Sequence, residues 1–407
     1  MNYSGGKMAQ RKTKRSSFWK SLATLLIILL AVSALYYYRT GDNPVDLLRE
    51  SKDLNDFFTT AKERIMHPSP KKAPPPVTTA EGEWWNVYFT DPSRLNDSSN
   101  AKNTIQEKLI QHIQNAKKSI HIASFEFNLT PVAETLIDAH ERGVEVMWVT
   151  DNEHGLEADH EPDHGQFAML KNAGIPVKDD SRGALMHNKF WIFDGELVWT
   201  GSTNITKNGI FKNNNNVITI KSPELAMIYE SEFQEMWSGN EFGVTSTSTP
   251  EKQKININGD DIQVFFAAED DVAEKLIPMI EEAQKSIRFM AFSFTHDGMG
   301  DAILNRAKAG VDVKGIFEVR GSETKYSELG KLYRAGVPVR QDGNPRTFHH
   351  KVIIIDNDIL ITGSFNFSKN ANKNNDENVL VVHNKDIAHQ YLKEFERRWA
   401  EAQEPEL

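Results

Sequence analysis

The sequence predicts an α/β protein: two duplicated α/β domains, each a mixed sheet flanked by helices, behind an N-terminal transmembrane helix and a stalk. Three observations carry this prediction. Short motifs recur at separations of 162 or 167 residues, strand-like and helix-like periodicities alternate within each copy, and a charge-free apolar run lies near the N-terminus.

Residues 1–20 form a basic tail expected in the cytoplasm, and residues 21–38 are free of charge, rich in Leu, Ile and Ala, and closed by Tyr36-Tyr37-Tyr38. Eighteen helical residues cover about 27 Å, close to the hydrocarbon thickness of a bilayer. The basic flank orients the span and the tyrosines suit the far interface, so the body is expected outside the cytoplasm, in the periplasm or extracellular space. A cleavable signal peptide, with Val32-Ser33-Ala34 at its end, places the body on the same side. Residues 39–83 read as a stalk: 46–65 suits a short amphipathic helix, and the prolines from Pro68 to Pro76 demand an extended chain.

The body divides into a first domain at 84–240, a linker at 241–260 and a second domain at 261–407. Ala116-Lys117-Lys118-Ser119-Ile120 returns as Ala283-Gln284-Lys285-Ser286-Ile287, and Ala173-Gly174-Ile175-Pro176-Val177 returns as Ala335-Gly336-Val337-Pro338-Val339. Strands are predicted at 86–89 and 262–266, at 119–127 and 286–294, and at 144–149 and 311–317. Between the first two of each set, apolar residues at helical spacing predict helices over 105–115 and 272–283. The linker contains Thr245-Ser246-Thr247-Ser248-Thr249-Pro250, which is loop chemistry.

Composition narrows the function. The first 40 residues hold seven Lys or Arg and no acid; removing those charges from the overall −10 leaves −17 on the remainder. An acidic body disfavours a sequence-independent grip on nucleic acid, which rests on many cation–phosphate contacts. The absence of cysteine excludes disulfides, thiolate catalysis and Cys-based zinc sites.

The most specific repeat is a chemical one. His187, Lys189, Asp194, Gly201, Ser202 and Asn204 recur at identical spacing as His349, Lys351, Asp356, Gly363, Ser364 and Asn366. Lys189–Asp194 and Glu196–Thr200 read as a hairpin around Asp194-Gly195. One His and one Lys from each half suit phosphodiester cleavage by double displacement: one imidazole attacks phosphorus, and the other protonates the leaving oxygen and then activates water. Lys189 and Lys351 are expected to neutralise the phosphate oxygens, with Asn204, Asn366, Ser202 and Ser364 as further phosphate-binding groups. This scheme calls for no metal and no cofactor.

Both copies match the H-x-K-x4-D-x6-G-S-x-N signature, and the chain from about Trp84 to Trp399 resembles the phospholipase D superfamily. The resemblance implies two α/β domains sharing one active site, a covalent phosphohistidine, His187 as nucleophile and His349 as general acid. Asp194 and Asp356 are expected to be structural, at hairpin turns. Family members commonly place a carboxylate after the second motif to bond the catalytic histidine. Glu377 fits and its first-half counterpart is Asn215, so Glu377 is expected to back His349 and make it the better proton donor.

Other residues take plainer readings. His154, His160, His164, Asp159 and Asp163 suit a polar loop bordering the cleft rather than a metal site. Phe125, Phe127, Phe292 and Phe294 alternate like core strand residues, and His350 should face away from its neighbours. The expected function is a membrane-anchored phospholipase D-type hydrolase that releases phosphatidic acid from phospholipids. It is expected to be monomeric, because both half-sites lie in one chain. A nuclease or a cardiolipin synthase-like phosphatidyltransferase are the alternatives.

Overall fold

The structure, a computed structural model, describes residues 24, 28–35, 48, 51–66, 78–92, 101–246 and 253–405. The chain separates into two compact units, 1–75 and 76–407. In the first, helix α1 (Leu54–Met66) buries Phe57 and Ala61, with Leu29, Val32 and Phe58 packed around them. Half of the predicted bilayer span at 21–38 falls outside the described residues; its described part, Thr24 and 28–35, is helical. Among the described residues no helix is long and apolar enough to cross a membrane.

The second unit contains the duplication. Its first half carries β1 (Thr78–Glu81), β2 (Trp85–Phe89), α2 (Ile105–Asn115), β3 (Ser119–Ser124), α3 (Thr130–Glu141), β4 (Glu145–Thr150), α4 (Gln166–Asn172) and β5 (Val177–Asp179). It continues with β6 (Lys189–Phe193), β7 (Leu197–Gly201), α5 (Lys207–Phe211), β8 (Asn213–Asn214), β9 (Asn216–Lys221) and α6 (Pro223–Gln234). The second half repeats the series as β10 (Lys254–Ile257), β11 (Asp260–Ala267), α7 (Val272–Glu281), β12 (Ser286–Ala291), α8 (Asp297–Lys308), β13 (Asp312–Phe317), α9 (Glu328–Arg334) and β14 (Val339–Gln341). It closes with β15 (Thr347–Phe348), β16 (Lys351–Ile355), β17 (Ile359–Gly363), α10 (Lys369–Lys373), β18 (Glu377–His383) and α11 (Lys385–Glu401).

Each half builds one eight-stranded mixed sheet of the same order, β1-β2-β9-β7-β6-β3-β4-β5 and β10-β11-β18-β17-β16-β12-β13-β14. The β3–β4 and β12–β13 pairs are parallel, as their helical crossovers require, and the hairpins β6–β7 and β16–β17 are antiparallel. Two edge strands lie in segments expected to be stalk and linker: β1 and β10, paired antiparallel to β2 and β11. β1 (Thr-Thr-Ala-Glu) lacks the apolar alternation that marks a half-buried strand, and β10 (Lys-Ile-Asn-Ile) alternates over only four residues beside a Ser/Thr-rich run, too short a signal to stand out.

Two of the core clusters belong to single halves, where α2, α3 and α4 or α7, α8 and α9 cover one sheet face. The third joins the halves: Val87, Phe89 and Ile218 of the first sheet bury with Val264, Phe266 and Leu380 of the second, together with Tyr229 on α6 and Tyr391 on α11. Polar pins cross this shared core at matching places. Thr362 Oγ1 donates to Asn216 Oδ1 at 3.0 Å, and Asn378 Nδ2 donates to Thr200 Oγ1 at 2.7 Å. The two halves are therefore packed as a pseudo-twofold pair, which brings the two histidine motifs together.

Candidate active site

Each motif histidine sits just before a central strand, β6 or β16, and the lysine two residues on begins that strand. Lys189 Nζ donates to His187 O at 2.8 Å and Lys351 Nζ to His349 O at 3.1 Å. Each lysine also lies over a phenyl ring, Phe125 or Phe292, at 4.9 Å from its centroid. The same rings meet the histidines edge-on, at 4.9 Å for His187 and 4.8 Å for His349. Phe125 and Phe292 are thus site residues rather than the plain core predicted for them. The reason is that β3 and β12 end at Ser124 and Ala291, short of the expected strand ends, so the chain bends before each phenylalanine.

The expected pairing of Glu377 with His349 is overturned. Glu377 Oε2 accepts from His187 Nδ1 at 2.7 Å, across the interface, whereas His349 Nδ1 lies 2.9 Å from Asn215 Oδ1 and 3.0 Å from Ser202 O. The cause is a reciprocal exchange of short segments. β8 pairs in parallel with β15, and the matching residue Asp376 bridges to Met186, so the stretch preceding each acceptor runs beside the other half's histidine. His349 N donates to Asn214 O and His187 N to Asp376 O, both at 2.9 Å. An alignment of the halves shows that Glu377 and Asn215 are equivalent, but not that each serves the opposite domain.

Ser202 and Ser364, expected to bind phosphate, are committed elsewhere. Ser202 Oγ donates to Asn215 Oδ1 at 2.8 Å and Ser364 Oγ to Glu377 Oε2 at 2.7 Å; both are fully buried and also accept from the next strand, at Asn216 N and Asn378 N. They position the acceptors behind the histidines. The adjoining glycines follow from the same packing: Gly201 and Gly363 have φ near +147° and +149°, and a Cβ on either would meet Asn216 O at 2.4 Å or Asn378 O at 2.1 Å. Asn204 and Asn366 each keep a buried Oδ1 without a partner, while Asn204 Nδ2 donates to Glu126 Oε2 at 2.8 Å. Glu126 has Ser293 as its counterpart, so it is a second point at which the halves differ.

Electrostatics follow from burial. His187 and His349 are both held well below the ordinary imidazole range, first by burial and then by the charges of Lys189 and Lys351, each of which acts on both rings. Burial lowers Lys189 to about 8 despite Glu377, and pushes Lys351 well below its ordinary range with Lys189 adding to the effect. Burial raises Glu377 to about 7, opposed by Lys189 and by the Ser364 and Asn375 donors. Near neutral pH the resting site is therefore two neutral imidazoles, a Glu377 carboxyl about half ionised, and lysines poised to lose protons. Ser202 O only accepts, so His349 Nδ1 carries the hydrogen and Nε2 is left for chemistry. His187 is set the same way by Glu377.

Asp194 and Asp356 sit at positive φ in hairpin turns; Asp194 accepts from the backbone N–H groups of Lys117, Lys118 and Ser119, and Asp356 from those of Gln284, Lys285 and Ser286. Each carboxylate is committed to tying its hairpin to the start of β3 or β12. Asp194→Asn keeps the backbone tolerance and loses the charge, so it should cost about 1–2 kcal/mol of stability by urea titration while activity per folded molecule stays within about twofold. His350 is buried on the far side, against Phe89 and Phe348, with Nε2 3.4 Å from Glu394. Asp159 caps α4 through the N–H groups of Gly165, Phe167 and Ala168. His154 packs against Phe125 at 4.9 Å, while His160, His164 and Asp163 belong to the adjacent loop and join no metal-holding group among the described residues.

A pseudo-twofold α/β pair with two imidazoles, two ammonium groups and oriented Nδ1 acceptors defines a class of protein built to act on a phosphate diester. Comparison with known proteins agrees. The family model described as "Cardiolipin synthase, PLD-like domain" matches residues 109–237 and 276–399, one match in each half. The chain belongs to the phospholipase D superfamily. It is 32% identical over 164 residues to a phospholipase D of Rickettsia bellii, covering 40% of this chain and 82% of that one. It is 34% identical over 125 residues to the human mitochondrial cardiolipin hydrolase, covering 31% of this chain and half of the human protein. A phosphatidylserine synthase from Haemophilus influenzae has the same fold, with a TM-score of 0.55 at 13% identity over 80% of this chain and 87% of that one.

Proposed function

We propose that this chain is a phospholipase D-type phosphodiesterase that hydrolyses phospholipid head groups, releasing phosphatidic acid through a phosphohistidine intermediate. The observation that carries the reading is the crossed pair of acceptors: Glu377 behind His187 and Asn215 with Ser202 O behind His349. A carboxylate accepting the Nδ1 hydrogen makes His187 Nε2 the more basic nitrogen, so His187 attacks phosphorus. The carboxylate that distinguishes the two histidines stands behind His187 and not behind His349.

His349 lacks a carboxylate and is neutral in the resting site, so its acid form must arise with the substrate. His349 is held down first by burial and then by Lys351 and Lys189; a phosphodiester anion between the two lysines offsets their share, and a proton taken up at Nε2 is then available to the leaving alcohol. The P–O bond breaks as the His187 Nε2–P bond forms. His349, neutral again, removes a proton from water, whose oxygen displaces His187 from phosphorus. Lys189 and Lys351 stabilise the charge on the phosphoryl oxygens in both steps.

The names of the Rickettsia and human relatives, together with the acidic body, favour a lipid. The N-terminal segment as an anchor, the body on the extracytoplasmic side and a monomeric state belong to the same proposal. A nuclease is the second reading, favoured by one feature: a cavity of about 740 Å³ beside the β8 segment is lined by Lys212 and Arg346, both exposed, with Asn214 and Asn344. Purified full-length protein should release head group from mixed phospholipid vesicles, with turnover lost in His187→Ala. DNA or RNA cleavage with inert lipids would reject the lipid substrate, and product that depends on an added alcohol would identify a transferase.

A further inference from the structure

The pseudo-twofold relation fails at one buried place. Residues 162 apart are equivalent, so Glu232 matches Glu394, Glu235 matches Arg397 and Met236 matches Arg398. Phe89 pairs with Asn216 and Phe266 with Asn378, which makes the loop after Phe89 equivalent to the loop after Phe266. Each loop meets the other half's terminal helix region.

At one junction the charges close. Glu394 on α11 is bound by Arg398 Nε at 2.8 Å, by Arg397 Nε at 2.9 Å, and approached by His350; both arginines also donate to Thr90 O of the opposing loop. At the twin junction the arginine positions hold Glu235 and Met236, and the opposing loop brings Glu269 and Asp270. One carboxylate oxygen from each of Glu232, Glu235 and Glu269 lies within 4.8 Å of the others. Glu232 is 2% exposed, and no amide, hydroxyl or cationic donor reaches its Oε2 or Glu269 Oε1; the two carboxyl groups hydrogen-bond to one another, as an acid pair without a counter-charge. The charges that act most strongly on Glu232 are all negative: Glu269, Glu235 and Asp270.

We propose that Glu232, Glu235 and Glu269 bind a divalent cation of the calcium class at the junction of the two halves, where the twin junction uses two arginines. The separation suits oxygen ligands standing about 2.4 Å from a shared ion, and an all-carboxylate donor set selects a hard cation. Glu232 near the end of α6 and Glu235 one turn later present their carboxylates on one face, and Glu269 arrives from the other half. The ion fastens one domain to the other. It takes no part in the histidine chemistry, and the inference is independent of which phosphodiester is the substrate.

The test uses full-length protein stripped with chelator. Equilibrium dialysis against Ca²⁺ should give one ion per chain, and saturating Ca²⁺ should raise the melting temperature by at least about 3 °C. Glu269→Gln should weaken Ca²⁺ binding at least about tenfold. In chelator that variant should melt no lower than the stripped parent, because it has lost one of the mutually repelling carboxylates. A stripped parent that binds no Ca²⁺ and melts identically with and without it overturns the proposal. So does Glu269→Gln retaining the parent's affinity.

Discussion

The His349→Asn enzyme should release about one equivalent of nitrophenolate from an alkyl p-nitrophenyl phosphodiester and then stall, whereas His187→Asn should release none. Nitrophenolate leaves without a proton, so loss of the general acid spares the first displacement; the second fails because no base remains to activate water. Loss of the nucleophile removes both steps, with a decrease in kcat of about 10⁴-fold or more. The stalled His349→Asn enzyme should carry acid-labile phosphorus on the peptide containing His187. Stopped-flow absorbance gives the burst and peptide mapping gives the site. Label on the peptide containing His349 in the reciprocal variant, with a burst there and none in His349→Asn, would reverse the roles.

What the sequence made legible was local or periodic. The doubled motif survives translation into structure because its spacing is fixed by one strand–turn–strand unit, and Asp194 could be assigned to the turn because Asp-Gly chemistry demands it. Helix α2 falls on its predicted residues, since Thr104 caps it and apolar residues recur along one face. The partner of each histidine was not legible. Glu377 lies 190 residues from His187, and the contact exists only because the two halves exchange short segments. A repeat reveals which residues are equivalent, not whether an equivalent pair works within its own half or across the interface. The site position of Phe125 is hidden for a related reason: the alternation of the sequence continues past Ser124, but the sheet does not. Ser202 and Ser364 were placed on phosphate because the motif sets them beside the histidine, whereas their hydrogen bonds turn inward to the acceptors.

Replacing Lys351 with Met should lower kcat about 10²–10³-fold, and Lys189→Met should do comparable damage, because each removes a positive charge aimed at the phosphoryl oxygens in a water-poor site. The same lysines set the alkaline side of the pH profile. Lys189, lowered to about 8 by burial, must be charged to act, so kcat/KM falls as pH rises through about 8. Glu377, raised to about 7 by burial, must be ionised to accept from His187, so kcat/KM falls as pH drops through about 7. The profile should be a narrow bell, and Glu377→Gln should remove its acid limb. The alkaline limb of kcat should lie above that of kcat/KM, since a bound phosphate anion holds the lysine protons more firmly. Stability should move the other way. An unfolded lysine keeps its proton to about 10.4, so between about 8 and 10 the unfolded chain binds more protons than the folded one, and the lysines' contribution to stability rises with pH. Activity that declines above pH 8 while the melting temperature holds or rises locates the titration in the lysines. A parallel fall in both would locate it in unfolding.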